Sequence, residues 1–150
     1  MNDVVKIYNA YILPGGWRNF SGKKDRYNQN GNSTFNIKFS AEQARELEEA
    51  GWPVKWDEPF EEGDAPEPRL QVTFRFDMYP PEIYQMTSDD DMVRLGEDGI
   101  ANLDWADISY ANLTLRGSHW EVNGKHGIKP YLKRMCVWIE EDDIFERHEG

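Results

Sequence analysis

The sequence predicts a mainly β domain, a small barrel or sandwich with one short helix and long decorated loops. Three observations carry that prediction. Apolar and polar residues alternate with period two in several separate stretches, only one stretch has helical spacing with end signals, and neither a repeat nor an interdomain linker interrupts the chain. At 150 residues, with 39% hydrophobic and 13% aromatic residues, the chain fits one domain around one core. Six Trp, seven Tyr and seven Phe exceed what such a core needs, which leaves rings for a surface.

The elements follow in chain order. Residues 4–13, VVKIYNAYIL, are β-branched and aromatic and end at Pro14-Gly15-Gly16, a strand closed by a turn. In residues 34–39, TFNIKF, Phe35, Ile37 and Phe39 share one face of a strand. Ser40 is placed to cap a helix, with Gln43 completing a capping box. The helix, AEQARELEEAG, is stopped by Gly51 and Pro53 and turns Ala44, Leu47 and Ala50 inward. Residues 57–68 are acidic and proline-rich, hence a loop, and 70–76, LQVTFRF, alternate again. Tyr79-Pro80-Pro81 makes a turn before a strand EIYQM, and residues 88–99 read as an acidic loop. Residues 108–116 and 128–140 form two strands of a hairpin, with GSHWEVNGKHG as an ordered arm between them. The domain spans 1–139, and 140–150 form an acidic tail.

Net charge is −11, yet cations collect in two places. Residues 17–38 hold Arg18, Lys23, Lys24, Arg26 and Lys38 against Asp25; residues 116–134 hold Arg116, Lys125, Lys129, Lys133 and Arg134 against Glu121. Each island is net +4, leaving −19 on the remainder. Distribution, not the sum, decides what such a chain attracts. The single Cys136 has no internal disulfide partner, which points to a reducing, cytoplasmic compartment. No apolar run reaches the roughly 18 residues of a membrane span.

Catalysis finds no support. The phosphate-loop pattern GxxxxGK[ST] is missing. His119, His126 and Cys136 match no metal-ligand spacing, and Asp89, Asp90 and Asp91 lack the alternating ligands of a calcium loop. With 28 acidic residues, paired carboxylates select nothing. The expectation is a non-enzyme without metal or cofactor.

The islands are chemically specific. Trp17, Arg18, Phe20, Lys23, Lys24, Arg26 and Tyr27 interleave rings with cations. A single-stranded nucleic acid exposes the matching partners, phosphates for Lys and Arg and unstacked bases for rings. In GIKPYLKRM, Lys129, Tyr131 and Lys133 fall on one strand face, Trp120 and Lys125 lie on the preceding arm, and Tyr110, Asn112, Thr114 and Arg116 extend the face on the neighbouring strand. The competing reading is structural: Trp17 and Phe20 plug the barrel end, and Lys129 and Lys133 merely solvate an exposed face.

Three stretches bear on that choice. RNFSGKKDRYNQNGNSTFNI, the helix-to-GWPVKW link, and LDWADISYANLTLRG with WEVNGKHGIKPYLKRMCVWIEED together resemble a family of phage-encoded single-stranded DNA-binding proteins. The similarity covers most of residues 17–142, and Trp120 to Met135 is its most specific part. The resemblance implies an OB-like Greek-key barrel, with its helix ordinarily between the third and fourth strands. It also implies DNA-binding roles for Arg18, Phe20, Lys23, Arg26 and Tyr27, and for Trp120, Lys125, Lys129, Tyr131 and Lys133. The expected function is coating of single-stranded DNA during phage replication or recombination, in the host cytoplasm.

Three readings stand for the tail, one of them competition with DNA for the basic groove through local charge. EEDDIF resembles the acidic, Phe-bearing tip by which bacterial single-stranded DNA-binding proteins recruit replication or recombination proteins, and the remaining reading is a solvated end. A homo-oligomer is compatible with the sequence; a membrane partner is not expected. The rival function is an acidic interaction module that mimics DNA toward a host or phage protein, and a structural phage component is a third.

Overall fold

The computed structural model describes residues 3–24, 31–59, 61–87 and 91–140. In chain order the elements are β1 (Asp3–Ile12), β2 (Arg18–Asn19), β3 (Ser33–Lys38), α1 (Ala41–Glu49), β4 (Lys55–Asp57), β5 (Glu67–Phe74), β6 (Glu82–Met86), β7 (Met92–Leu95), β8 (Ile108–Val122) and β9 (Lys125–Ile139). Five of the strands close a ring. β1 pairs with β3, β3 with β5, β8 with β9 and β1 with β8, all antiparallel, and a parallel pairing of Thr73 with Tyr131 joins β5 to β9. Counting only these five, the order around the ring is first, second, third, fifth, fourth: the Greek-key order of an OB barrel.

Period-two alternation fills the ring. Phe35, Ile37, Leu70, Val72, Phe74, Leu115, Met135 and Val137 all point inward and are buried. Phe20 enters from the β2 side and stacks on Phe35 at 4.9 Å, with Phe74 6.1 Å from Phe20 and 6.2 Å from Phe35. This aromatic triad closes the end of the barrel at which β3 begins and β5 ends.

The helix lies between the second and third barrel strands rather than the third and fourth. Among the described residues 17–24 the one strand is β2, a two-residue pairing of Arg18 with Phe35 and Asn19 with Thr34. Ser40 caps α1 through its hydroxyl, which accepts from the Gln43 amide N–H at 3.2 Å. Gln43 does not complete the box. Its side-chain amide donates instead to the Lys6 carbonyl at 2.7 Å, tying α1 to β1. Ala44 and Leu47 are buried as their spacing requires, whereas Ala50 is exposed.

Two loops turn out to hold strands. Residues 92–95 of the acidic 88–99 stretch form β7, antiparallel to β6, and β6 itself runs parallel to the second half of β9. The arm between the last two strands is no separate element. β8 and β9 continue through it and reverse at Asn123-Gly124, both with positive φ (53° and 79°), the pair a two-residue hairpin turn demands. Among the described residues no helix is long and apolar enough to cross a membrane.

Candidate nucleic-acid interface

The β8–β9 ladder sets the site. Residues directly opposite in an antiparallel pair point to the same side, so register decides which side chains share a face. The inward rows are Leu115 with Leu132, Leu113 with Met135, and Ala111 with Val137. The outward rows are Val122 with Lys125, Trp120 with Gly127, Ser118 with Lys129, and Arg116 with Tyr131. Lys125, Trp120, Lys129, Arg116 and Tyr131 therefore occupy one face. Leu115 pairs with Leu132 while Thr114 pairs with Arg134, so Lys133 is the extra residue of a β-bulge and stands exposed beside that face.

The rings and cations touch. The Arg116 guanidinium lies 5.2 Å from the Tyr131 ring centroid and 5.3 Å from that of Tyr79, and Lys129 Nζ lies 5.4 Å from Tyr131. Such contacts are worth roughly 0.5–1 kcal/mol at exposed sites, enough to orient side chains that would otherwise sweep through solvent. Around them is an open cleft of about 450 Å³, lined chiefly by Arg75, Met78, Tyr79, Arg116, Tyr131 and Lys133. At its rim Arg75 makes a two-point ion pair with Asp77, at 3.0 and 2.7 Å; each holds the other charged, raising the arginine's pKa and lowering the carboxyl's.

Trp120 is 44% exposed. Its indole lies across Gly127 so closely that a Cβ there would stand 2.8 Å from the ring. Gly127 is therefore what lets the indole lie flat on the strand with its outer face open. Gly127→Ala should displace the ring, and its effect on the affinity of any ligand that rests on the indole should overlap with that of Trp120→Ala. A double-mutant cycle checks this: full additivity would show that the glycine does not act through the indole.

The first island divides. Arg18 is only 8% exposed, and its guanidinium donates to the carbonyls of Ile12 (3.1 Å), Leu13 (3.0 Å), Leu103 (2.9 Å) and Ala106 (2.8 Å). Burial lowers its pKa, opposed by Tyr11, Asp104 and Asp107. The assignment of Arg18 to phosphate is thus corrected: all three of its nitrogens donate to backbone carbonyls inside the protein. Phe20 is corrected likewise, being fully buried in the aromatic triad with no face for a base. Trp17 is 48% exposed, but the Arg69 guanidinium covers one face at 4.6 Å, and the ring sits on the β3–β5 side rather than in the cleft.

Lys38 is held by Asp57 at 2.6 Å, and Arg69 by the same carboxylate at 3.0 Å, so Asp57 has a lowered pKa and neither cation is available. Lys23 and Lys24 remain exposed at the loop base. Arg26 and Tyr27 lie outside the described residues.

Register brings the loop base and the cleft to the same end of the barrel. Ser33 pairs with Phe74, and the adjacent Thr73 pairs with Tyr131. The start of β3 is thus two strand spacings, about 10 Å, from Tyr131.

Tyr79 was not legible as a site residue from the sequence. It is 78% exposed and has φ 53°, a left-handed conformation uncommon for a bulky residue. The two prolines after it gave the turn but not the direction of the ring.

A five-stranded OB barrel with a cationic, ring-bearing outer face belongs to a class of fold that binds oligonucleotides and oligosaccharides. Within it, the family described as "Putative phage ssDNA-binding domain" matches residues 4–149, and the chain belongs to that family. Among solved structures, the single-stranded DNA-binding protein from bacteriophage Enc34 is similar in fold (TM-score 0.53, 7% identity, 95% of this chain and 83% of that one). Its C-terminal truncation gives TM-score 0.53 at 8% identity, over 94% of this chain and 87% of that one. The same phage protein in complex with ssDNA gives TM-score 0.50 at 7% identity, over 95% and 89%. No curated protein matches the chain in sequence.

Proposed function

We propose that this chain binds single-stranded DNA, without catalysis, along the outward face of β8 and β9, and serves phage DNA replication or recombination. One observation carries the reading. In a chain of net charge −11, Arg116, Lys125, Lys129 and Lys133 make no ion pair among the described residues, while Lys38, Arg69 and Arg75 do. Arg116 and Lys129, left without carboxylates and in contact with the Tyr131 ring, with Lys125 and Lys133 exposed on or beside the same face, suit a polyanion whose bases can stack. Family membership and the Enc34 likeness in a DNA-bound structure support the same ligand.

In this reading Arg116, Lys125, Lys129 and Lys133 meet phosphates, with Lys23, Lys24 and Arg26 approaching from the first loop. Tyr79, Tyr131 and Trp120 stack on bases, joined by Tyr27. Residues 1–139 are the binding domain, and the acidic 140–150 segment contacts replication or recombination proteins.

A fluorescence-anisotropy titration with single-stranded, duplex and RNA oligonucleotides over a range of salt tests this. Four phosphate contacts on β8 and β9, and up to seven with the first loop, predict that log K against log salt falls with slope of about −3 to −5 for a single strand. A flat response, or preference for duplex, would overturn the reading. Binding to a basic protein with no affinity for any oligonucleotide would install the DNA-mimic alternative.

A further inference from the structure

The outward face does not end at Tyr131. Beyond the Lys133 bulge the same rows continue as Thr114 with Arg134, Asn112 with Cys136, and Tyr110 with Trp138. Neighbouring strands widen them. Lys6 of β1 stands abreast of Thr114, and Tyr84 of β6 stands abreast of Cys136. A second hollow of about 260 Å³ opens here, lined by Lys6, Tyr8, Tyr84, Thr114, Arg134 and Cys136.

We propose that this hollow is a second subsite for the same nucleic-acid strand, so that one molecule holds DNA across β1, β8, β9 and β6 rather than at the Tyr131 cleft alone. The proposal rests on the function proposed above. Lys133 and Arg134 are consecutive and both exposed, because the bulge interrupts alternation at that point. They form a cationic bridge from one hollow to the next. From Arg116 to Asn112 is four residues, about 13 Å along the strand.

The chemistry of the second hollow repeats the first. Tyr8 is 63% exposed, and the Tyr84 hydroxyl donates to Glu82 at 3.2 Å, which fixes the edge of that ring. At the far end Tyr110 and Trp138 stack at 4.5 Å, 12° from parallel, and both stay partly exposed. Glu82 stands abreast of Arg134 across the parallel pair. Against that one carboxylate the hollow and its approach present Lys6, Lys133 and Arg134. The excess of cations selects an anionic occupant, and the rings select bases over a plain acidic peptide.

The test compares oligothymidines of about 4 and about 16 nucleotides, the two ends of the range for one OB fold. In Arg134→Glu, and separately in Tyr84→Ala, affinity for the long strand should fall about 10-fold or more while affinity for the short one holds. Long-strand affinity unchanged in both variants would overturn the second subsite and leave the first standing. A wild-type chain that binds neither strand would overturn both readings.

Cys136, the single cysteine of the chain, gives a readout independent of mutation. Burial pushes its thiol pKa up, so maleimide labelling is followed at mildly alkaline pH. The long strand should protect Cys136 and the short strand should not. Equal labelling with and without the long strand, or protection by polyglutamate but not by DNA, would overturn the proposal.

Discussion

Replacing Tyr131 with alanine is expected to weaken oligothymidine binding by about 1–3 kcal/mol, roughly 5- to 150-fold, with the salt slope unchanged. The magnitude is that of one base losing its stacking platform. It is amplified because the Tyr131 ring also holds Arg116 and Lys129, at 5.2 and 5.4 Å. Lys129→Glu with Lys133→Glu should act differently. Two phosphate contacts disappear, so affinity falls and the slope of log K against log salt becomes shallower by about 1.4. Titrations at three or more salt concentrations separate the cases. A Tyr131→Ala variant with wild-type affinity would remove the ring from the site, and an unchanged slope in the charge-reversed pair would remove those lysines.

The second large effect concerns stability. Arg18→Ala should destabilise the fold by about 3 kcal/mol or more, because carbonyls from two separate segments lose a shared charged donor inside the protein. Those segments are the end of β1, through Ile12 and Leu13, and the turn after β7, through Leu103 and Ala106. Asp104 adds a second latch by accepting from the backbone amides of Phe20 and Ser21. Urea unfolding measures the loss as a lower midpoint at constant slope. At low temperature, where the variant stays folded, DNA affinity should remain near wild type. A stable variant with lost affinity would return Arg18 to the phosphate contacts.

Arg18 shows where sequence reading stops. A cation between rings looks the same whether it faces solvent or four carbonyls, and only the return of residues 103–106 to the barrel end distinguishes them. Lys38 is similar: its charge counts toward a basic island until β4 brings Asp57 alongside. The strands were legible because Phe35, Ile37, Leu70, Val72 and Phe74 carry the period-two signal themselves. So was the shared face of Lys129 and Tyr131.

The Asn123-Gly124 turn carried a signal too. An Asn-Gly pair between alternating residues marks a two-residue hairpin turn, and it extends β8 and β9 through what reads as an arm. That extension puts Trp120 and Lys125 in register with Tyr131. The bulge at Lys133 had no signal, since one extra residue leaves composition unchanged and appears only in the pairing of Leu132 and Arg134.

Photocrosslinking of a bound oligothymidine, followed by mass-spectrometric assignment of the modified residues, locates the strand directly. The account predicts adducts on Tyr131, Tyr79 and Trp120, all on the outer side of the last two strands and the segment beside them. Adducts confined to Trp17, beside Arg69 of β5, and to Trp56 of β4, which pairs with β5, would contradict it.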